Sequence, residues 1–287
     1  MKIQINHIED YSAIFEICRD KDVSFKNIEL DFRKTKFICP HDILLTVQTA
    51  IYIHKFNPSA KISLITEAES KTKKYIDDVG VIDFCNKNHI QSQTIEFIKS
   101  QTAMPIRRID QAHIEEYTLR TLHYLSQFCH KKDLTILSVG IKEAINNVHD
   151  HSQSEIGAYI FCQYFPKTNE INVCVSDMGI GIPANVKKYL SDDDYSDKEC
   201  IKWAIGQNNT TKSTPQNAGR GLTNIVDFVR ANKGFLQVIS GDGKYVLRDE
   251  KEIFTKNTID NFIGTLIEFN IIVDNLENEE EIITQYF

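Results

Sequence analysis

The chain has 287 residues, enough for one large domain or two medium ones, each with its own core. Apolar residues make up 41% and charged residues 25%, the usage of an ordinary soluble globular protein. A net charge of −7 argues against a general nucleic-acid binder, which shows a basic face.

No apolar run approaches membrane-spanning length, since Ile43 to Ile53 is short and holds Gln48. Met1-Lys-Ile-Gln-Ile-Asn6 lacks the apolar stretch of a signal peptide, so a cytoplasmic protein with no membrane partner is expected. The seven cysteines are scattered, without a C-x-x-C pair, and read as buried reduced thiols. That scatter also argues against zinc, because no cysteine was judged to sit at ligand spacing from another Cys or His.

In chain order, Lys26-Asn-Ile-Glu-Leu-Asp-Phe32 alternates apolar and polar residues and predicts a strand. Thr35 to Cys39 links it to a helix from about Asp42 to Phe56. Lys61-Ile-Ser-Leu-Ile65 is a second strand, followed by a helix around Ser70 to Val79 and a tail at Val81 to Phe84. Met104-Pro-Ile-Arg-Arg-Ile109 reads as a strand. A helix from about Gln111 to Phe128 should bury Ile114, Leu119, Leu122 and Leu125. Asp133 can cap the next helix, whose apolar side is Leu137, Ile141, Ile145 and Val148. Strands follow at Gly157 to Tyr164 and Ile171 to Ser176. Residues 184–218 are a long polar excursion with a short helical stretch including Trp203, and Gly219-Arg-Gly221 opens a helix from Leu222 to Val229.

Three segments in the second half carry chemistry: Glu143-Ala-Ile-Asn-Asn147, Asp177-Met-Gly-Ile-Gly181 and Gly219-Arg-Gly-Leu222. Glu143 and Asn147 are four apart, so a helix places them on one face, one turn from each other. A carboxylate and an amide oxygen suit Mg²⁺, a hard cation that also keeps waters and substrate phosphates. The glycine-rich turns let backbone approach a ligand. No G-x-x-x-x-G-K-[ST] loop is present.

Together these segments resemble the ATP-binding domain of the GHKL superfamily, shared by type II topoisomerases, heat-shock chaperones, histidine kinases and mismatch-repair ATPases. Glu143 and Asn147 match its N box; Asp177, Gly179 and Gly181 its first glycine box; Gly219 and Gly221 its second. Gly264-Thr265 before Leu266-Ile-Glu-Phe-Asn-Ile271 matches its closing strand. The resemblance covers roughly residues 105 to 273. It implies a Bergerat-type two-layer α/β sandwich that binds ATP and Mg²⁺. It implies further that Asn147 ligates the metal, that Glu143 acts as base, and that Asp177 accepts from the adenine amine. His151, on the Asn147 stripe, then lies on the phosphate side. Thr211 and Lys212, in a lid over 184–218, touch phosphate. Gly219, Arg220, Gly221 and Leu222 form the anion-binding helix start, and Thr265 reaches the base through water.

The first half resembles a STAS-type domain, the fold of anti-sigma-factor antagonists, in its strand, turn and long helix, then Ile62-Ser-Leu-Ile65 and a helix ending Asp78-Val-Gly80. It departs where many such domains carry an Asp-Ser phosphoacceptor, because here the turn reads Cys39-Pro-His-Asp42. The expected organisation is a STAS-like α/β domain over 1–98 and the ATP-binding domain over 99–287, an α/β (α+β) protein. Three functions follow from the resemblance: an ATP-hydrolysing regulatory switch, a serine/threonine protein kinase of the anti-sigma-factor type, or a non-catalytic nucleotide sensor or scaffold. A protein partner is expected, and a homodimer is one form it can take.

Overall fold

Two sheets organise the chain, and period-two alternation builds both. The computed structural model describes residues 1–20, 26–86, 90, 94, 95, 98–109, 111–206, 209, 221–260 and 262–279. The smaller sheet holds β1 (Lys2–Gln4), β2 (Asn27–Asp31) and β3 (Lys61–Ile65), parallel and in that order. Parallel neighbours need long crossovers. Here α1 (Ser12–Asp20) lies between the first two strands and α2 (Pro40–Phe56) between the second and third. Beyond β3 come α3 (Lys71–Asp78), capped by the Ser70 side chain on Lys73 N, and α4 (Val81–Asn86). The segment expected as a tail at Val81 is therefore helical.

The larger sheet contains β4 (Arg107–Ile109), β5 (Ala158–Phe165), β6 (Glu170–Asp177), β7 (Phe235–Ser240), β8 (Gly243–Arg248), β9 (Lys251–Lys256) and β10 (Thr265–Ile272). It is antiparallel throughout, in the order β4-β5-β6-β10-β7-β8-β9. The last strand thus inserts at the centre, between β6 and β7. Before and between the strands run α5 (Ile114–Ser126), α6 (Thr135–Ser152), α7 (Gly181–Leu190), α8 (Asp197–Ile205) and α9 (Gly221–Asn232). The chain is a mixed α/β protein.

Alternation sorts the central strands into two faces. Ala158, Ile160, Cys162, Val173, Val175, Leu236, Val238, Ile267 and Phe269 form one face, in a core with Leu137, Ile141, Ile145 and Val148 of α6 and Ile225 and Val229 of α9. Tyr159, Phe161, Cys174, Ile239 and Leu266 form the other, in a core that continues to Ile14, Leu44 and Val47. Residues from both sides of the expected 98/99 boundary share this second core. Its central element is α2, buried at every position from Pro40 to Ile53, as a helix enclosed on all sides must be. Gln48 on α2 donates to the Ser176 carbonyl of β6 at 2.8 Å, one residue from Asp177.

Three expectations need correction. Leu119, assigned to the buried side of α5, is 61% exposed, because α5 turns Ile114, Tyr117, Thr121 and Leu125 inward instead. The polar excursion from 184 is largely helical up to 205: Val186, Cys200 and Ile201 are buried, and Lys187 pairs with Asp197 at 2.9 Å. The three strands from Phe235 to Lys256 were not anticipated, although Gly241-Asp-Gly243 and Asp249-Glu250 punctuate them as hairpin turns. Asp249 and Glu250 both take positive φ, 50° and 62°, as a two-residue hairpin loop of the favoured hand requires.

Candidate functional site

Helix α6 forms where the sequence placed it, with Asp133 accepting from Thr135 N at 2.9 Å and Gln153 closing it in a left-handed conformation. Its buried stripe faces the sheet, which leaves Glu143 and Asn147 half-buried on another side. The Asn147 amide nitrogen donates to the Glu143 carbonyl at 2.8 Å. That bond ties the NH₂ to the helix, so the side-chain oxygen is the atom of Asn147 that a cation could take. The end of α6 meets the Asp177 turn directly: Ile180 N donates to the Ser152 carbonyl at 2.7 Å. Gly179 has to be glycine there, since a Cβ would sit 1.7 Å from that same carbonyl.

Asp177 ends β6 and is fully buried. Its Oδ1 accepts from Gly179 N at 2.6 Å and its Oδ2 from Thr265 N at 3.1 Å. Burial pushes the carboxyl up to about 8, against the pull of those two N–H groups. On the other side stands Gly264, at φ +85°, where a Cβ would lie 2.2 Å from the Asp177 carbonyl. Two strand ends and one helix end therefore converge on a single buried acid.

Ser240 was missed from the sequence and holds the junction together. Fully buried at the end of β7, its hydroxyl accepts from Ile182 N at 2.9 Å and donates to the Gly264 carbonyl at 2.7 Å. The Thr265 hydroxyl lies 3.1 Å away. Because serine is common, only its place four residues before Lys244 in an unread hairpin could have pointed to it. A cleft of about 570 Å³ opens over this junction, between Arg19 and Tyr52 on one side and Gly179, Ile180 and Gly264 on the other.

Of the residues expected to act together, Asp177, Gly179, Gly181 and Thr265 meet at this junction. Glu143 and Asn147 stand on α6, whose last residues dock against it. At 1.5 Å per residue, Asn147 is about 7–8 Å along the axis from Ser152. Leu222 is buried in the core beneath α9, and Gly221 is the first residue of that helix. The His151 side chain and all of Thr211, Lys212, Gly219 and Arg220 lie outside the described residues. Among the groups present, the Asn147 oxygen fits a hard cation completed by water and phosphate. Both Asp177 oxygens are already engaged by the turn, so that residue suits a ligand's N–H rather than a metal.

Compared with known protein families and with curated protein sequences, the chain matches none. Among the described residues, no helix is long and apolar enough to cross a membrane.

Proposed function

We propose that this chain is a Mg²⁺-dependent ATP-binding protein that hydrolyses ATP and acts as a regulatory switch. The observation that carries the reading is Asp177, a buried carboxyl at a strand end whose hydrogen-bond partners are two backbone N–H groups. Burying such a group without a cation is costly. Further N–H donation from a ligand offsets that cost, and an adenine amine supplies it where the guanine carbonyl does not.

In this reading the Asn147 oxygen holds Mg²⁺, which neutralises phosphate charge when bound. Glu143 orients and deprotonates the attacking water, help typically worth about 10²–10⁴-fold in rate. The N-terminus of α9 receives phosphate through its free N–H groups, with Thr211, Lys212, Gly219 and Arg220 around it. Contact between α2 and the end of β6 gives the first half of the chain a way to sense the occupied site.

The same Glu143–Asn147 pair, one turn apart on α6, serves a second reading as a serine/threonine protein kinase whose nucleophile is a partner's hydroxyl. A sensor that binds without turnover is the third. Calorimetric titration with Mg-ATP is expected to show binding that Asn147→Ala removes, and an unchanged affinity and turnover in that variant overturns the assignment. Incubation with γ-labelled ATP, with and without cell extract, then separates the readings. Released phosphate fits the switch, label on another protein fits the kinase, and binding with neither fits the sensor.

A further inference from the structure

At the start of α2, far in sequence from the glycine turns, Cys39, His41 and Asp42 converge. Pro40 occupies the first helical position, where its missing N–H costs nothing, and fixes the backbone of the turn. Asp42 Oδ2 accepts from Cys39 N at 2.8 Å and closes that turn. One potential ligand atom from each of Cys39, His41 and Asp42 lies within 4.8 Å of the other two. The argument against zinc from cysteine spacing therefore fails, because Cys39 and His41 are only two residues apart in a tight turn.

We propose that Cys39, His41 and Asp42 form a Zn²⁺ site at the N-terminus of α2, with Glu268 holding the histidine in its ligating orientation. Three observations support it. His41 Nε2 and Asp42 Oδ1 are 3.7 Å apart. Metal–ligand bonds of about 2.0–2.3 Å in tetrahedral geometry set ligand atoms roughly 3.3–3.8 Å apart, so this pair is already spaced for zinc. The remaining ligand separations, all within 4.8 Å, close by at most about 1.5 Å.

The second observation is the back of the imidazole. His41 Nδ1 lies 2.8 Å from Glu268 Oε2, the carboxylate–histidine pairing that orients metal-bound histidines. Glu268 is itself held by the side-chain amides of Asn172 and Gln237. The third is Asp42 Oδ1, which is buried and has no hydrogen-bond partner. A buried acceptor left unpaired is costly, and a cation at this point removes that cost.

The donor set selects the ion. A thiolate, an imidazole and a single carboxylate favour zinc over Mg²⁺ or Ca²⁺ and leave a fourth position for water. Cys39 is also the one cysteine among the seven that is not buried. Binding releases the Cys39 thiol proton and the His41 Nε2 proton to solvent, so no other reactant is needed. The positive end of α2 disfavours a cation, but three anionic groups, the thiolate, Asp42 and Glu268, outweigh it. The metal closes the start of α2 on itself, and the His41–Glu268 contact joins that turn to the centre of the large sheet, three residues along β10 from Thr265. This inference does not depend on the nucleotide reading.

Cobalt tests it. Chelator-treated full-length protein titrated with Co²⁺ is expected to take up one equivalent and develop a thiolate-to-metal charge-transfer band, which Zn²⁺ then abolishes. Cys39→Ser, a nearly isosteric change at a half-exposed position, should lose the band and bind Zn²⁺ more than about tenfold more weakly, with an unchanged circular dichroism spectrum. Asp42→Asn should weaken Zn²⁺ while leaving a Mg-ATP titration as it is in the parent protein. Folded protein that gives no cobalt band and retains no stoichiometric zinc overturns the site and leaves a His41 salt bridge only. An undiminished band in Cys39→Ser overturns it equally.

Discussion

Phe269 and Glu268 are neighbours on the central strand and look out on opposite faces of the same sheet. Phe269 is fully buried under α6, with its ring 3.9 Å from where a Cβ on Gly140 would stand. Glu268 is as deeply enclosed, yet it meets His41, Asn172 and Gln237 instead of hydrocarbon. One face is held by packing, which tolerates any side chain of the right volume. On the other, the Glu268 position within an otherwise apolar face is held by mutual hydrogen-bond satisfaction, which is lost when one member is removed. The difference explains why His41 can be buried in a polar helix start: the sheet beneath it supplies Glu268 as its counter-charge.

The largest effects test this contrast. Phe269→Ala should cost about 3–5 kcal/mol in chemical denaturation through the cavity it leaves. Glu268→Gln should cost about as much, roughly 3–5 kcal/mol, because a buried imidazolium loses its partner. Burial opposes that charge, but the Glu268 and Asp42 carboxylates outweigh it and hold His41 up to about 9. A second substitution separates the two faces. His41→Leu combined with Glu268→Leu should recover part of the loss, since the charged pair leaves together while the Asn172 and Gln237 amides still lose an acceptor. No single partner change should rescue Phe269→Ala. Recovery in both cases, or in neither, would erase the distinction.

Next in size is Ser240→Ala. It strands Ile182 N and the Gly264 carbonyl inside the junction and should cost about 1–3 kcal/mol. Because those atoms position both glycine turns, the variant should also weaken any ligand held at Asp177. An intact melting temperature would show that water takes the place of the hydroxyl.

Asp177→Asn carries a pH signature. A carboxyl with an ordinary value of 3.8 that burial moves to about 8 stays protonated in the native state while the unfolded chain has lost the proton. Native stability therefore falls as pH rises between those values, by at most about 1.4 kcal/mol per unit from this group. Asparagine does not titrate, and its NH₂ faces one of the two backbone N–H donors, a cost that does not change with pH. The variant should be the less stable near pH 4, and its deficit should shrink steadily toward pH 8 in thermal melts. Parallel curves would mean that Asp177 is ionised in the native protein.

How far these features could be read in advance varies with their physics. The α6 stripe of Leu137, Ile141, Ile145 and Val148 was visible, because local periodicity determines which side is buried. Strands β5 and β6 were placed to within a residue or two for the same reason. The polar face was not visible. Glu268 looks like an interruption in an apolar strand until His41 of α2, more than two hundred residues away, is set against it. Weak patterning also hid the hairpins from Phe235 to Lys256, where Ile253 is 54% exposed and the edge strand lacks a clear buried side. In the candidate site, Asp177 and its glycines were legible as a motif, while Ser240 was not, since its importance lies wholly in what it touches.

The smallest effect concerns the one helix position misjudged as core. Leu119 was assigned inward because it falls near a 3.6-residue repeat with Ile114, Leu122 and Leu125. Helix α5 settles on Tyr117, Thr118 and Thr121 instead. Both threonine hydroxyls bond back to carbonyls of their own helix, Ile114 and Tyr117, at 2.8 and 2.9 Å, so these polar residues enter the core satisfied. With the threonines inside, Leu119 is carried to solvent. Leu119→Ser should then change stability by no more than about 0.5 kcal/mol. Thr121→Ala, which deletes a self-satisfied hydroxyl without stranding a partner beyond a helical carbonyl, should cost little more. A loss above about 2 kcal/mol at Leu119 would place it in a buried contact and reverse the facing of α5.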